Sequence, residues 1–167
     1  DMTTEQDIFD QASSQLQTIE PKMRHVFDTV VIVDDAIELG KTQYGRRRIR
    51  PGKGGVFKGE RLNGVVLWGT NWFVTRPDHI GEFNVRLTLQ TDDDALIYME
   101  SRGIYKFPRE VGPKIADGTA AHTDYYLREH TEFETAAEQY AWLNAIVAVG
   151  TGWHHSRAVG MSIYELL

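Results

Sequence analysis

The chain has 167 residues, of which 41% are hydrophobic and 25% are charged, a balance typical of one folded domain rather than a disordered segment. Its formal net charge of -6 disfavours general binding to nucleic acids or anionic membranes. The absence of cysteine excludes disulfide bonds and thiolate nucleophiles. No apolar run reaches membrane-spanning length, and the first residues lack the apolar region of a signal peptide. The absence of cysteine fits a reducing cytoplasm, which is the expected location.

The first predicted element is an amphipathic helix at the N-terminus. Ile8, Ala12 and Leu16 recur at helical spacing, a threonine precedes them as an N-cap, and a proline ends the pattern. Such a helix could cover one end of a sheet or contact a partner. We therefore predict a helical extension over residues 1–22 and a single β-barrel domain over residues 23–167.

Short β-strands are predicted along the rest of the chain. The clearest covers residues 82–90, where apolar and polar side chains alternate with a period of two. An aspartate-rich turn and a second strand complete a hairpin over residues 82–107. Further candidate strands are FDTVVIVDDAIELG, GRRRIRP, GVFKG, NGVVLWGTN, NWFVTR, TDYYLREHTEFET, NAIVAVGTGWH and AVGMSIYELL.

Many short strands separated by Gly, Asn and Asp turns predict an all-β fold, either an antiparallel barrel or a sandwich. Closure into a barrel would also remove the exposed edges of the sheet. Residues 136–144 interrupt the strands with the spacing of a short helical turn. We expect Tyr140 and Trp142 of this turn to plug one end of the barrel.

Several segments, in this order, resemble one family of small bacterial and fungal β-barrels. They are GGVFKGERLNGVVLWGTNWFVTRPD, EFNVRLTLQTDDDALIYMESRG, YYLREHTEFET and YAWLN, and together they extend the resemblance over residues 25–165. The family is catalogued as domain of unknown function 3237. The resemblance implies a closed, lipocalin-like antiparallel barrel that often pairs into homodimers, but no single reaction. Asn71 and Asn84 stand where the family commonly has aspartate.

Two predicted strands can each present a row of polar side chains to the barrel interior, where the rows would bind an oxygen-rich ligand. The alternative is that both rows face solvent, as alternating polar residues of a sheet usually do. The resemblance, which includes Arg86, Tyr126 and Arg128, makes the inward arrangement an equal alternative to the outward one. The expected catalytic residues are then Arg86, Tyr126, Arg128, Glu100 and His130. The expected substrate-binding residues are Asn71, Trp72, Glu82, Asn84 and Trp142.

Metal and cofactor chemistry are disfavoured. The adjacent His154 and His155 point to opposite faces of a strand, and the other histidines show no ligand spacing, so we predict no metal. The sequence has neither a nucleophile elbow nor a dinucleotide fingerprint, so we predict no cofactor. The stretch GRRRIRPGKGG lacks the spacing of a phosphate loop. One or two of its arginines could steer a carboxylate or phenolate to the barrel mouth, although a solvated strand face is the simpler interpretation.

The sequence therefore favours a cofactor-independent lyase or isomerase that uses acid/base chemistry on a small hydrophobic, aromatic and oxygenated molecule. Arg86 and Arg128 would polarise an oxygen, and Tyr126 would transfer the proton. Trp72 and Trp142 would line the cavity. The alternative is a non-catalytic carrier or sensor of a similar ligand. The expected partners are this ligand and a second copy of the chain, without nucleic acid or membrane.

Overall fold

A computed structural model describes residues 3–167 as nine antiparallel strands, two α-helices and two 3₁₀ helices. The helices are α1 (Glu5–Leu16) and α2 (Gly112–Asp117), and the 3₁₀ helices are Arg109–Val111 and Glu138–Ala145. The strands are β1 (Met23–Val33), β2 (Ile37–Thr42), β3 (Gly45–Lys58), β4 (Asn63–Thr75), β5 (Gly81–Thr91), β6 (Leu96–Lys106), β7 (Tyr126–Glu134), β8 (Ala148–His155) and β9 (Ala158–Leu166).

The barrel closes because β1 forms hydrogen bonds on both of its sides. Val30 of β1 lies opposite Gly160 of β9 and also opposite Val56 of β3. The remaining strands follow in the order β9-β8-β7-β6-β5-β4-β3, which completes a ring of eight strands. β2 pairs with the first half of β3 and lies outside this ring. The predicted closed, all-β antiparallel barrel is therefore confirmed.

Two strands are longer than the sequence predicted. GRRRIRP and GVFKG form the single strand β3, and NGVVLWGTN and NWFVTR form the single strand β4. Pro51 lies where β3 changes its partner from β2 to β1, so its missing N–H breaks no ladder. Gly54, with a φ of 134°, then lets the strand bend around the barrel. Conversely, the predicted strand FDTVVIVDDAIELG is divided between β1 and β2.

The predicted N-terminal helix is present as α1. Thr4 caps it in a capping box, in which the Asp7 amide donates to Thr4 Oγ1 at 3.2 Å and the Thr4 amide donates to Asp7 Oδ2 at 2.9 Å. No residue of Glu5–Leu16 is buried, and Ile8 and Leu16 are 57% and 64% exposed. The apolar face of α1 therefore packs on no part of the barrel, and the division at residue 22 stays a prediction.

The predicted helical turn is the 3₁₀ helix Glu138–Ala145, and it closes one end of the barrel. Leu143 is fully enclosed there with Phe57, Leu89 and Ile97, none of which exceeds 1% exposure. Trp142 packs on this cluster from outside. The expectation that the turn plugs a barrel end is consistent with this packing, and the end is filled by side chains.

The opposite end is covered by the connection between β6 and β7, whose helical segments the sequence did not predict. Ile115 of α2 is buried in a second apolar cluster with Phe83, Tyr125 and Leu127. α2 has six residues, and its C-cap Gly118 adopts a φ of 78°. Because so short a helix has little local stability, its packing on the barrel end holds it in place.

We predict that Phe27→Ala destabilises the barrel by about 3–5 kcal/mol, because Phe27 is fully buried and its ring lies 5.4 Å from Phe57 and 5.8 Å from Phe133. Urea unfolding followed by tryptophan fluorescence measures this change. Phe9→Ala is the matched control, since Phe9 of α1 is 64% exposed, and it should change the free energy of unfolding by less than about 0.5 kcal/mol. An equal loss in both variants would show that α1 packs on the barrel.

Candidate functional site

A cavity of about 190 Å³ occupies the half of the barrel that lies away from the filled end. A dry cavity of about 150 Å³ can hold benzene, so this space accommodates a molecule with one six-membered ring. The cavity wall is mainly apolar, as is usual for small-molecule sites. Its apolar, non-aromatic residues include Val31, Val85, Leu87, Met99, Leu127 and Met161.

Glu129 of β7 is the carboxyl group in this apolar wall, and the residue is 7% exposed. Its Oε1 accepts hydrogen bonds from Ser101 Oγ at 3.2 Å and from Thr131 Oγ1 at 3.0 Å. Burial raises the pKa of Glu129 to about 7, although the two hydroxyl groups act to lower it. Such a group can both give and accept a proton at neutral pH.

A glycine on the neighbouring strand makes room for this carboxyl group. Gly150 of β8 is the register partner of Glu129. A Cβ atom at position 150 would lie 2.8 Å from Glu129 Cγ and 3.0 Å from Glu129 Oε1. Any larger residue at position 150 would therefore displace the Glu129 side chain or distort the β7–β8 pairing.

Tyr105, His154 and Arg50 form a chain of polar contacts nearer the barrel mouth. His154 Nδ1 lies 3.2 Å from Tyr105 Oη, and His154 Nε2 lies 3.4 Å from Arg50 Nη1. Burial lowers the pKa of His154 to about 4, with help from the positive charge of Arg50, so the imidazole is neutral near pH 7.

This contact chain assigns the protons. A guanidinium group can only donate, so His154 Nε2 accepts from Arg50 and His154 Nδ1–H donates to Tyr105 Oη. The phenol O–H of Tyr105 is then free to donate to a ligand. Burial raises the pKa of Tyr105, so the phenol keeps its proton at neutral pH.

Aromatic packing holds Tyr105 in position. Its ring centre lies 5.3 Å from Phe107, 5.7 Å from Tyr125 and 6.5 Å from Phe73. Tyr125 Oη in turn accepts a hydrogen bond of 2.8 Å from the His154 backbone amide. The donor phenol therefore lies within a rigid group of rings at the covered end of the barrel.

The register of β6 and β7 brings the two proton-carrying groups within reach of one ligand. Glu129 pairs with Gly103, and Tyr105 pairs with Leu127. Glu129 and Tyr105 are thus diagonal neighbours whose Cα atoms are about 7–8 Å apart. A single-ring molecule in the cavity can contact both side chains.

Two arginines line the mouth of the cavity. Arg50 Nε donates to the Asp34 carbonyl at 3.1 Å and Arg50 Nη2 donates to the Ser156 carbonyl at 2.5 Å, which ties two connections together across the mouth. Arg48 Nη2 donates to Thr75 Oγ1 at 3.2 Å. Both guanidinium groups are partly removed from water, and this burial lowers the pKa of each.

The two predicted polar rows lie on the outer surface of the barrel. Phe83, Val85 and Leu87 of β5 line the cavity, as do Leu127 and Glu129 of β7, and successive residues of a strand point to opposite faces. The outward residues are Glu82, Asn84, Arg86, Tyr126, Arg128 and His130. The expectation that these rows face the cavity is wrong, because the apolar row of each strand occupies the interior.

Some predicted residues do meet, but outside the cavity. Arg86 Nε lies 3.9 Å from Glu100 Oε2, and the Arg86 guanidinium carbon lies 5.3 Å from the centre of the Trp72 ring. Trp142 belongs to the filled end of the barrel. Asn71 is the predicted binding residue that the structure places in the cavity wall, and its buried Oδ1 has no hydrogen-bond partner.

Glu129 and Tyr105 were not predicted as site residues. Each shares its strand face with apolar residues: Glu129 lies on the same face as Leu127 and Phe133, and Tyr105 lies on the same face as Met99. A single carboxyl or phenol group in a row of otherwise uncharged and mostly apolar side chains was the available signal, because such a group becomes buried when the row faces inward.

Residues 3–167 contain no group of three or more His, Asp or Glu side chains arranged to hold a metal ion. Across the same residues, none of the helices has the length and apolar character needed to cross a membrane. The polar side chains of the cavity instead suit hydrogen bonding and proton transfer with an organic ligand. They include Glu129, Ser101, Tyr105, His154, Asn71, Arg48 and Arg50.

Comparisons with known proteins identify relatives of the whole barrel. The family model described as "Protein of unknown function (DUF3237)" matches residues 21–166. A UPF0311 protein of Rhodopseudomonas palustris is 32% identical over 152 residues, which cover 90% of this chain and 98% of the relative. A crystal structure of a conserved protein of unknown function from R. palustris superposes with a TM-score of 0.84 at 30% identity, covering 89% of this chain and 99% of that chain. A β-barrel-like protein of Acinetobacter baumannii superposes with a TM-score of 0.78 at 31% identity, with coverages of 89% and 98%.

We predict that Glu129 makes the folded protein less stable as the pH rises. The folded pKa of about 7 exceeds the ordinary value of 4.5, so the stabilising contribution is complete below 4.5 and is lost as the pH rises through 7. The loss is of order 3 kcal/mol. His154 acts in the opposite direction, because its folded pKa of about 4 lies below the ordinary 6.5 and its protonation on acidification destabilises the fold.

The difference between wild type and Glu129→Gln isolates the carboxyl group, since His154 is present in both proteins. Urea unfolding at about pH 4.5 and about pH 7.5 measures it. The stability of wild type relative to the variant should fall between the two pH values. A difference that stays constant would contradict the raised pKa of Glu129.

Proposed function

Because the chain belongs to the family of proteins of unknown function DUF3237, whose shared barrel fixes no reaction, we propose its function from the contents of its cavity. It is a cofactor-independent lyase or isomerase that moves a proton on a small, single-ring, oxygenated molecule. The observation that carries this proposal is Glu129, a buried carboxyl group with a pKa of about 7 in the wall of a ligand-sized cavity.

Glu129 and Tyr105 supply complementary steps. The Glu129 carboxylate removes a proton from a carbon next to a carbonyl group, and the C–H electron pair moves into the new C=C bond of an enolate. The Tyr105 O–H donates a hydrogen bond to the enolate oxygen and stabilises its charge. Return of the proton from Glu129 to a different carbon completes an isomerisation. Departure of a leaving group from the adjacent carbon completes an elimination.

The cavity wall supports an aromatic substrate. Phe73 and Phe83 line the same space as the aliphatic side chains, and aromatic rings pack well against planar ligands. Exclusion of water by this wall also strengthens the electrostatic interactions of the reacting groups. In this proposal the inward groups Glu129 and Tyr105 take the catalytic roles that the sequence analysis assigned to Arg86, Tyr126 and Arg128.

A second copy of the chain stays the expected protein partner, and the cytoplasm stays the expected location. Val30, Val56 and Val65 lie side by side on the outer surface of β1, β3 and β4 and are 41%, 47% and 44% exposed. An apolar patch of this kind supports self-association. Sedimentation analysis of the purified chain tests for the dimer.

Hydrogen–deuterium exchange tests the proposed chemistry without knowledge of the natural substrate. We expect the wild-type protein to accelerate exchange of the acidic C–H groups of acetophenone or phenylpyruvate in D₂O, followed by proton NMR. Glu129→Gln should lower the protein-dependent rate by about 100-fold or more, because it removes the base. Tyr105→Phe should lower the rate by about 10-fold to 100-fold, because it removes the donor to the enolate oxygen.

Tyr126→Phe decides between the inner and outer sites, since Tyr126 lies on the same barrel but is 44% exposed on the outside. A loss of exchange in Tyr126→Phe with a normal rate in Tyr105→Phe would contradict the inner site. Binding of both ketones in the cavity without any exchange would instead indicate a carrier.

A further inference from the structure

Arg48 at the cavity mouth lacks the negatively charged partner that a half-buried arginine usually has. Its Nε is buried without a hydrogen-bond partner. The ion pairs formed among residues 3–167 include neither Arg48 nor Arg50. The nearby carboxylate of Glu38 is already held by Arg46, at 2.6 Å and 2.9 Å.

Arg50 adds a second positive charge: the Asp35 carboxylate acts on it without forming an ion pair, and none of its hydrogen-bond partners is charged. Its three donor nitrogens face the Asp34 carbonyl, the Ser156 carbonyl and the neutral imidazole of His154. These partners satisfy hydrogen bonds but carry no charge. Two partly desolvated cations on one strand are costly unless an anion lies close to them.

Asn71 provides a second unfilled position on the same wall. It pairs with Arg50 across β3 and β4, and Arg48 pairs with Phe73, so Asn71 is a diagonal neighbour of Arg48 at about 7–8 Å between Cα atoms. The buried Asn71 Oδ1 has no partner. Since an amide group can present either its oxygen or its nitrogen, Asn71 can bind a hydroxyl group or an oxygen acceptor.

We infer that the cavity binds its ligand as a carboxylate, with the Arg48 guanidinium against the carboxylate oxygens and the ligand ring in the apolar chamber toward Glu129. The planar guanidinium matches the two oxygens of a carboxylate. A cavity of about 190 Å³ accommodates the ring of a single-ring acid. This inference rests on the proposed function only in taking the cavity as the ligand site.

Benzoate and its neutral isostere benzamide test the inference by calorimetric or NMR titration. Wild type should bind benzoate at least about 10-fold more tightly than benzamide, because a desolvated charge-assisted pair adds affinity. Arg48→Met should remove this preference. Arg48→Lys should keep part of it, since it retains the charge without the planar edge. The matched control is Arg102→Met on the outer surface, where Arg102 is paired with Glu100, and it should keep the full preference.

Circular dichroism and the unfolding midpoint of each variant establish that it is folded. Equal affinity of wild type for benzoate and benzamide, no binding of either, or an unchanged preference in Arg48→Met would overturn the inference. Tighter binding of phenyl phosphate than of benzoate would overturn the choice of a carboxylate. Glu129→Gln should still bind benzoate, which separates the two proposals. If benzoate binds through Arg48 but no ketone exchange is seen, the proposed reaction is wrong and the carboxylate inference stands. If ketone exchange is seen without a preference for benzoate, the carboxylate inference is wrong and the proposed reaction stands.

Discussion

The double pairing of β1, with β9 on one side and β3 on the other, is the constraint on which the rest of the structure depends. Closure gives each of the eight ring strands one enclosed face, and the hydrophobic effect assigns the apolar row of each of these strands to that face. Any polar side chain in an apolar row is carried inside with it. Glu129 is such a side chain, and its high proton affinity is a consequence of closure rather than of a nearby charge.

One end of the barrel contributes mainly to stability, and the other end holds the cavity in which the proposed chemistry takes place. Phe27, Phe57 and Leu143 fill one end, where no space is left for a ligand. The other end keeps a cavity, in whose wall Val31 and Val85 lie beside the rings of Phe73 and Phe83. The tightly packed end holds the strands in place, so that the buried polar groups around the cavity keep fixed positions relative to a ligand.

Local periodicity predicted the strands and the β5–β6 hairpin, because these depend on residues that are close in sequence. The face that points inward and the contacts between distant strands depend on closure of the barrel, so periodicity did not predict them. The alternation of β5 and β6 identified the hairpin, because a period of two is visible within a single strand. Which row faces inward was predicted wrongly, since the polar row was chosen for its chemistry although Phe83 and Leu89 form the better buried row. The Tyr105–His154–Arg50 contacts join β6, β8 and β3, and no local pattern gives the register of three distant strands. α2 was missed because Gly112 and Pro113 mask a helix that tertiary packing stabilises.

Arg50 does more than close the mouth. The same guanidinium holds the carbonyls of two connections and orients the His154 ring that controls the Tyr105 proton. Without the Arg50 contact the His154 ring could turn over and accept from the phenol, and the Tyr105 O–H would then be engaged by the protein itself. One side chain thus couples the packing of the two connections to the availability of the Tyr105 proton.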